Sequence, residues 1–343
     1  MDKVGKGGRR ASPPVVPIPN LPTLTHEPTL SLPPDPPAPV HRSVLLAEVI
    51  EWLNLRDGVT IVDGTAGAGG HTAAIAGRVG ASGRVIGLDR DPEMLELAAR
   101  ATEGRPVTLI QSSYSDLDRV MGDLELDGVD GIVLDLGLSS DQLAWGHRGF
   151  SFVGDGPLDM RYDPRAPVSA ADLVNDLDAE ELARIIYEYG EERHSRRIAR
   201  KIIEARRVEP IRTTARLADV VRSGVPGKWG AIDPATRTFQ ALRIEVNDEL
   251  TRLEDLLANL HIYLNPGGRA AIISFHSLED RRVKHSFRDD ENLTVLTRKP
   301  ITASAEELAI NPRARSAKLR VAQRCPDQNG LPNSTTPRPT AGR

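Results

Sequence analysis

The chain has 343 residues, of which 39% are hydrophobic and 27% are charged, and this length is enough for about two domains with buried cores. No apolar run approaches the roughly 20 residues that span a bilayer, and prolines follow the basic start where a signal peptide would be apolar. The single cysteine, Cys325, excludes an internal disulfide and a cysteine metal cluster. We therefore expect a soluble protein of the reducing cytoplasm, with no membrane partner.

The first 40 residues differ in composition from the rest of the chain. They hold eleven of the 26 prolines and almost no periodic apolar pattern, which predicts a disordered proline-rich extension. The folded part is predicted to begin near His41, because apolar residues recur at helical spacing between Val44 and Leu53. At the other end, residues 326–343 are interpreted as a flexible tail.

Between residues 41 and 144, short apolar runs alternate with segments of helical period. The runs lie at residues 60–62, 84–88, 107–110 and 131–134, and the segment from Asp91 to Ala101 is helical in pattern. This alternation predicts a parallel sheet with helices on both faces. The expected fold is an open, doubly wound α/β sheet, in which ligands bind at the carboxyl ends of the strands.

The alternation stops near Trp145, and residues 169–225 show helical periodicity only. We interpret residues 145–237 as an all-helical insert that recognises the substrate. After it, Phe239 to Leu264 is predicted to form one long amphipathic helix that stops at residues 265–268, where Pro and Gly follow the last apolar position. A strand at residues 270–275 follows, so residues 238–325 are predicted to complete the α/β core.

The net charge of −4 argues weakly against a nucleic-acid partner, but the basic residues are clustered. Residues 193–222 hold ten arginines and lysines against three acids, and residues 313–324 hold five against none. Such stretches attract a polyanion, although most charge runs simply keep a helix face solvated. Composition alone leaves both interpretations open.

The segment from Asp63 to His71 has the pattern of a strand, a glycine-rich turn and a helix start. Glycines let the backbone approach a ligand closely, and the next helix offers its first amides to an anionic group. The dinucleotide pattern G-x-G-x-x-G is not met. Asp63 followed by Gly67 and Gly69 instead resembles the first motif of class I S-adenosylmethionine (SAM) methyltransferases, although Thr65 replaces its first glycine.

Two later positions are candidates for binding the adenosine part of such a cofactor. Asp89 ends the second predicted strand, where a carboxylate can accept hydrogen bonds from ribose hydroxyls. Asp91, with a proline after it, is interpreted as the cap of the next helix, which leaves Asp89 free. Tyr114, after the third strand, could flank the adenine or could equally fill the core.

The fourth predicted strand ends at Asp135, the position that faces the methyl group in this fold. Amino-methylating members of the fold carry N/D/S-P-P and then an aromatic residue here, and only the acid matches. A carboxylate that accepts an N–H hydrogen bond stabilises the charge that develops on an exocyclic amine. Asp135 is therefore the catalytic candidate. The histidines lack metal-ligand spacing, so no metal is predicted.

Further motifs follow one another between about residues 41 and 324. They are His41–Leu46, Asp63–His71, Leu88–Asp91, Asp135–Ser140, Arg148–Phe152, Gly156–Arg161, Tyr189–Arg193, Ala235–Ala241, Ser274–Arg281 and Asn311–Ser316. In this order they resemble the bacterial 16S rRNA cytosine-N4 methyltransferases of the RsmH or MraW type. The proline-rich extension lies outside the family pattern.

The resemblance implies that SAM donates a methyl group to the exocyclic N4 amine of the cytidine at conventional position 1402, in the decoding centre of 16S rRNA. It implies the small ribosomal subunit as partner, and a homodimer is left open. The positions that match the family's cofactor contacts are Gly69, Gly70, His71, Asp89, Tyr114, Asp135 and Gln142. Asp135 thus has a cofactor role beside its catalytic one. Arg237, Arg243, His276, Arg313 and Arg315 could bind RNA phosphates or pair within the fold.

Three other functions are alternatives for this sequence. The same scaffold could methylate an amine in DNA or in a small molecule. A catalytically silent RNA-binding assembly factor is less consistent with the presence of Asp63, Asp89 and Asp135 together. A dehydrogenase is disfavoured by the glycine spacing.

Overall fold

The computed structural model describes residues 42–227, 230 and 233–326. The predicted extension at residues 1–40, the predicted start of the fold at His41 and the tail from residue 327 lie outside the described residues. The strands are β1 Thr60–Asp63, β2 Arg84–Asp89, β3 Val107–Gln111, β4 Val129–Asp135, β5 Leu264–Ser274, β6 Leu293–Val295 and β7 Lys318–Arg324. The helices are α1 Leu46–Trp52, α2 Gly70–Val79, α3 Pro92–Ala101, α4 Leu117–Asp123, α5 Ser140–Ala144, α6 Ala170–Asp176, α7 Ala179–Glu188, α8 Ser195–Arg206, α9 Thr214–Gly224, α10 Ala235–Asn247, α11 Glu249–Ala258, α12 Leu260–Tyr263, α13 Ser277–Asp289 and α14 Ala305–Ile310. None of the helices in the described ranges is long and apolar enough to cross a membrane.

The strands form one sheet in the order β3-β2-β1-β4-β5-β7-β6. The first five strands pair in parallel, whereas β7 is antiparallel to both β5 and β6. The predicted α/β class is confirmed, as is the parallel pairing predicted for the strands of residues 41–144. The antiparallel edge formed by β7 and β6 was not predicted. The 313–324 stretch was interpreted by its charge alone, so its strand character was missed.

The sheet is covered on both faces, because successive strand residues point to opposite sides. Ile61 of β1 packs with Ile75 and Val79 of α2 in the core of one face. Val62, the next residue, packs with Leu256 of α11 in the core of the other face. The near-continuous apolar strands follow from this two-sided burial.

The helices α6 to α9, between β4 and β5, pack around a third core of their own. It contains Leu182 and Ile186 of α7, Ile198 and Ile202 of α8, and Leu217 of α9. These are the positions whose helical spacing predicted an all-helical insert. Phe239 and Leu242 of α10 complete this core and join it to the rest of the fold.

The predicted single helix from Phe239 to Leu264 is wrong. The chain breaks at Asp248, which has a left-handed backbone conformation (φ 53°), and again at Asn259. The break lets α10 pack on the helical core while α11 turns to cover the sheet. The predicted stop at residues 265–268 lies inside β5, which begins at Leu264.

Candidate active site

A cavity opens at the carboxyl ends of the strands, where β1 and β4 lie side by side and the strand order reverses. Ligands bind at this switch point in open α/β sheets. Seven residues predicted to contact a cofactor line it: Gly67, Gly70, His71, Asp89, Tyr114, Asp135 and Gln142.

Two residues predicted to contact the cofactor lie behind the cavity wall instead. Asp63 is buried, and its carboxylate accepts hydrogen bonds from the Thr72 hydroxyl at 2.6 Å and the Thr65 amide at 3.2 Å. Burial raises the pKa of the Asp63 carboxyl. Gly69 has φ 87°, and a Cβ added to it would lie 2.9 Å from the Cα of Ala98 on α3. Both residues therefore shape the glycine loop rather than line the cavity.

Asp89 lies at the end of β2, in the cavity wall. One carboxylate oxygen accepts the Gly67 amide at 2.8 Å and the other accepts the Asp91 amide at 2.9 Å. Burial raises the pKa of the Asp89 carboxyl to about 6, against the lowering effect of these two bonds. Because each oxygen has a second lone pair, the carboxylate can still accept bonds from a ligand.

Asp91 caps α3, as the sequence predicted, and accepts the Glu93 amide at 3.1 Å. It is fully buried and also binds Arg148 at 2.9 Å and the Gln142 side-chain amide at 2.8 Å. Arg148 reaches on to the carbonyl oxygens of residues 161 and 162 at 2.9 Å. This network joins the end of β2 to the segment leading into the helical core.

From the sequence, Arg148 had no predicted role in the site, whereas Gln142 was predicted to contact the cofactor directly. The Gln142 side chain lines the cavity, but its amide is also bonded to the Ser139 backbone at 3.0 Å and to Asp91. The motif Arg148–Phe152 was the signal for this network. The contact of Arg148 with Asp91 spans 57 residues of sequence, so periodicity could not reveal it.

Asp135 ends β4 and faces the cavity opposite the glycine loop. Its amide donates to the Thr65 hydroxyl at 2.6 Å. The Nε2 atom of His71 lies 3.0 Å from the Val44 carbonyl, which can only accept, so Nε2 carries a proton. His71 therefore turns Nδ1 towards the Asp135 carboxylate, 3.9 Å away.

The far wall of the cavity carries two buried carboxylates, Glu249 and Glu279. Arg243 binds both oxygens of Glu249, at 2.8 and 2.9 Å. Ligand atoms of Glu249, His276 and Glu279 lie within 4.8 Å of one another, an arrangement that could hold a metal ion. Arg243 already supplies a positive charge there, and the absence of a metal stays a prediction.

The two basic stretches differ in their surroundings. Arg320 and Lys318 of β7 pair with Asp280, and Arg313 binds the Leu138 carbonyl and the Ser140 hydroxyl. Four of the five cations in this stretch thus bind protein groups, because Arg324 also donates to the Leu264 carbonyl. These contacts disfavour the interpretation of residues 313–324 as a stripe open to a polyanion. In residues 193–222, seven arginines are exposed and have no ion-pair partner in the described part of the chain: Arg193, Arg196, Arg197, Arg200, Arg207, Arg212 and Arg216.

Comparison with known sequences identifies the family. The MraW methylase family matches residues 38–325. This chain belongs to the MraW methylase family. It is 49% identical over 306 residues to the ribosomal RNA small subunit methyltransferase H of Syntrophotalea carbinolica, covering 83% of this chain and 98% of that protein. It is 52% identical over 286 residues to the protein of that name from Deinococcus deserti, covering 83% and 93%.

Solved structures that resemble this MraW-family protein are more distant. An rRNA methylase from Streptococcus thermophilus shares 13% identity and a TM-score of 0.35, with 82% of this chain and 93% of that chain covered. Fibrillarin from Aeropyrum pernix, with natively bound S-adenosyl-L-methionine, shares 10% identity and a TM-score of 0.38, with 81% and 72% covered. The family assignment rests on the sequence matches.

Proposed function

We propose that this MraW-family methylase transfers the methyl group of SAM to the exocyclic N4 amine of a cytidine in the decoding centre of 16S rRNA. The observation that carries the proposal is the Asp135 carboxylate, which faces the same cavity as the glycine loop and Asp89. The motif resemblance and the relatives named for small-subunit rRNA support the choice of substrate. The cytoplasm is the proposed location, since a ribosomal subunit is the substrate.

The residues at the switch point fit SAM. Asp89 would accept the ribose hydroxyls, and Tyr114 would flank the adenine from the third strand. His71 and Asp135 would hold the methionine end, with the amides after Gly67 close by. The bound cofactor would supply a methyl group on a positively charged sulfur.

Asp135 addresses the main chemical difficulty of the proposed reaction. The cytosine N4 amine is a poor nucleophile, because its lone pair is conjugated with the ring. A carboxylate that accepts one N–H bond favours the pyramidal amine and stabilises the positive charge that develops on nitrogen. Alignment of the amine with the methyl group supplies much of the remaining rate enhancement.

The pH dependence of cofactor binding tests the role of Asp89. Since the Asp89 pKa is about 6, only about one carboxyl in ten is ionised at pH 5. We expect SAM affinity, measured by calorimetry, to be about tenfold weaker at pH 5 than at pH 7.5. The raised pKa affects the stability of the unliganded protein in the opposite direction. Because the folded state binds this proton more tightly than the unfolded chain, the free energy of unfolding increases as the pH falls through 6. In Asp89→Asn the SAM affinity should be weak at both pH values. If this variant shows the same pH dependence of SAM affinity as the wild type, the assignment of Asp89 is contradicted.

The helical segment at residues 145–237 is the proposed RNA recognition region. Arg196, Arg197 and Arg200 of α8 are exposed and have no ion-pair partner within residues 42–227, 230 and 233–326, as phosphate contacts require. Replacing all three with Gln should weaken binding to rRNA and lower the slope of log affinity against log salt by about 2 to 3. Filter binding at four salt concentrations measures both quantities.

Arg78, Arg100 and Arg298 provide a matched control. They are also exposed and have no ion-pair partner among the described residues. Their triple Gln variant should keep the wild-type slope. If both triple variants lose affinity equally, net charge rather than a defined surface governs binding.

The substrate class can be tested by supplying labelled SAM with one acceptor at a time. We expect transfer to small ribosomal subunits that lack the modification, and none to duplex DNA or free cytidine. Transfer to DNA or to a free nucleoside would favour the alternative amino-methyltransferases. SAM binding without transfer to any acceptor would favour the silent assembly factor.

A further inference from the structure

The Phe275 ring lies beside the reaction end of the cavity. Asp135 of β4 is paired with Ile273 of β5, so Phe275, two residues further on, is level with Gly137. A Cβ added to Gly137 would lie 3.9 Å from the Phe275 ring. Gly137 lines the cavity and has φ 88°. A Cβ at Gly137 would also lie 3.8 Å from the Arg243 guanidinium, so the ring and this cation both lie beside Gly137 at the cavity wall.

The ring is held in place by groups from two other segments. The Arg313 guanidinium lies over it, with the central carbon 5.7 Å from the ring centroid. Arg313 is itself fixed by the Ser140 hydroxyl at 3.2 Å and by the Leu138 carbonyl. The Phe275 backbone amide donates to Glu279 at 2.8 Å. These contacts fix a ring that is only half-buried.

The loop after Asp135 lacks the aromatic residue that amino-methylating members of this fold carry there. It reads Leu136-Gly137-Leu138, with Gly137 in a conformation that disfavours a side chain. A base taken out of its stack needs a new aromatic surface to recover part of the lost stacking energy. In this chain the aromatic ring near that position comes from the neighbouring strand.

We propose that Phe275, held by Arg313, is the surface on which the target cytosine stacks while Asp135 binds its amine. The inference rests on the proposed function, because it assumes a nucleobase acceptor. It adds a specificity residue directly after β5 to a site otherwise built from the ends of β1, β2, β3 and β4. Gly137 leaves room for the base to reach the ring.

Base stacking predicts the effect of removing the ring. Phe275→Leu should lower kcat/KM for small subunits by roughly 5- to 150-fold, the range found when a base loses an aromatic partner. Phe275→Tyr should stay within about threefold of wild type, because the ring is kept. The SAM dissociation constant should change in neither variant.

Trp52 offers a matched control. It is also half-buried, packs against the same core as Phe275 and does not line the cavity. Trp52→Leu should resemble Phe275→Leu in its effect on melting temperature but should keep the wild-type kcat/KM. An equal loss of activity in the two variants would reduce the Phe275 effect to general packing and overturn the proposal.

A second measurement uses the wild-type protein and does not depend on turnover. A fluorescent cytidine analogue placed at the target position of the RNA should be quenched when it stacks on binding. Quenching in the wild type and in Phe275→Tyr, but not in Phe275→Leu, is the expected result. Methyl transfer by a wild type that shows no quenching would overturn the Phe275 proposal alone. A wild type that methylates no RNA would overturn the proposed function first.

Discussion

Asp135→Asn should lower kcat for methyl transfer to small ribosomal subunits by roughly 100- to 1,000-fold. The side chain keeps its size but loses the charge that stabilises the developing cation on the amine. The His71 ring lies 3.9 Å from the carboxylate, so cofactor binding should weaken by no more than about tenfold. Single-turnover kinetics at saturating SAM separate the two effects.

The control for Asp135→Asn is Asp123→Asn. Asp123 ends α4 and is exposed, and its ion pair in the described part of the chain is the i,i+4 pair with Arg119. This variant should keep the wild-type rate. An Asp135→Asn rate within a few-fold of wild type would leave Asp135 as a cofactor-positioning residue and remove it from catalysis.

Arg148→Leu should destabilise the protein by about 3–5 kcal/mol. Arg148 and Asp91 form an ion pair with side chains that are 5% and 0% exposed. Removing the guanidinium leaves the buried Asp91 carboxylate without this positive charge, although it keeps the Glu93 and Gln142 donors. The carbonyl oxygens of residues 161 and 162 lose their bonds to Arg148. Urea unfolding followed by circular dichroism measures the loss.

A nearby exposed pair gives the comparison for Arg148. Arg165 binds Asp163 at 2.9 Å, and its side chain is 72% exposed. Arg165→Leu should leave the free energy of unfolding almost unchanged, since exposed ion pairs contribute little. The double variant Asp91→Asn with Arg148→Leu should recover part of the stability lost in Arg148→Leu. Equal costs for Arg148→Leu and Arg165→Leu would contradict the network described for Asp91.

The strands and the cofactor loop were predictable because they depend on local pattern. The apolar runs ending at Asp63, Asp89 and Asp135 place three carboxylates at one edge of a parallel sheet, whatever the loops between them do. The N-cap role of Asp91 followed from the proline after it. The structure has these features where the sequence placed them.

Features that depend on contacts distant in sequence were not predictable in the same way. The helix around Asp248 keeps its amphipathic period across the break, so periodicity could not separate α10 from α11. The charges of β7 looked free, because their partner Asp280 lies about 40 residues away. The motif identified Asp63 and Gly69, but their contacts with α2 and α3 place them outside the lining of the cavity.

The identity of the methylated nucleoside tests the central claim most directly. Small subunits lacking the modification would be incubated with the protein and isotopically labelled SAM, digested, and analysed by mass spectrometry. The proposed function predicts the label in N4-methylcytidine from one decoding-centre position, and its loss in Asp135→Asn. Label in any other nucleoside, or spread over many positions, would contradict it.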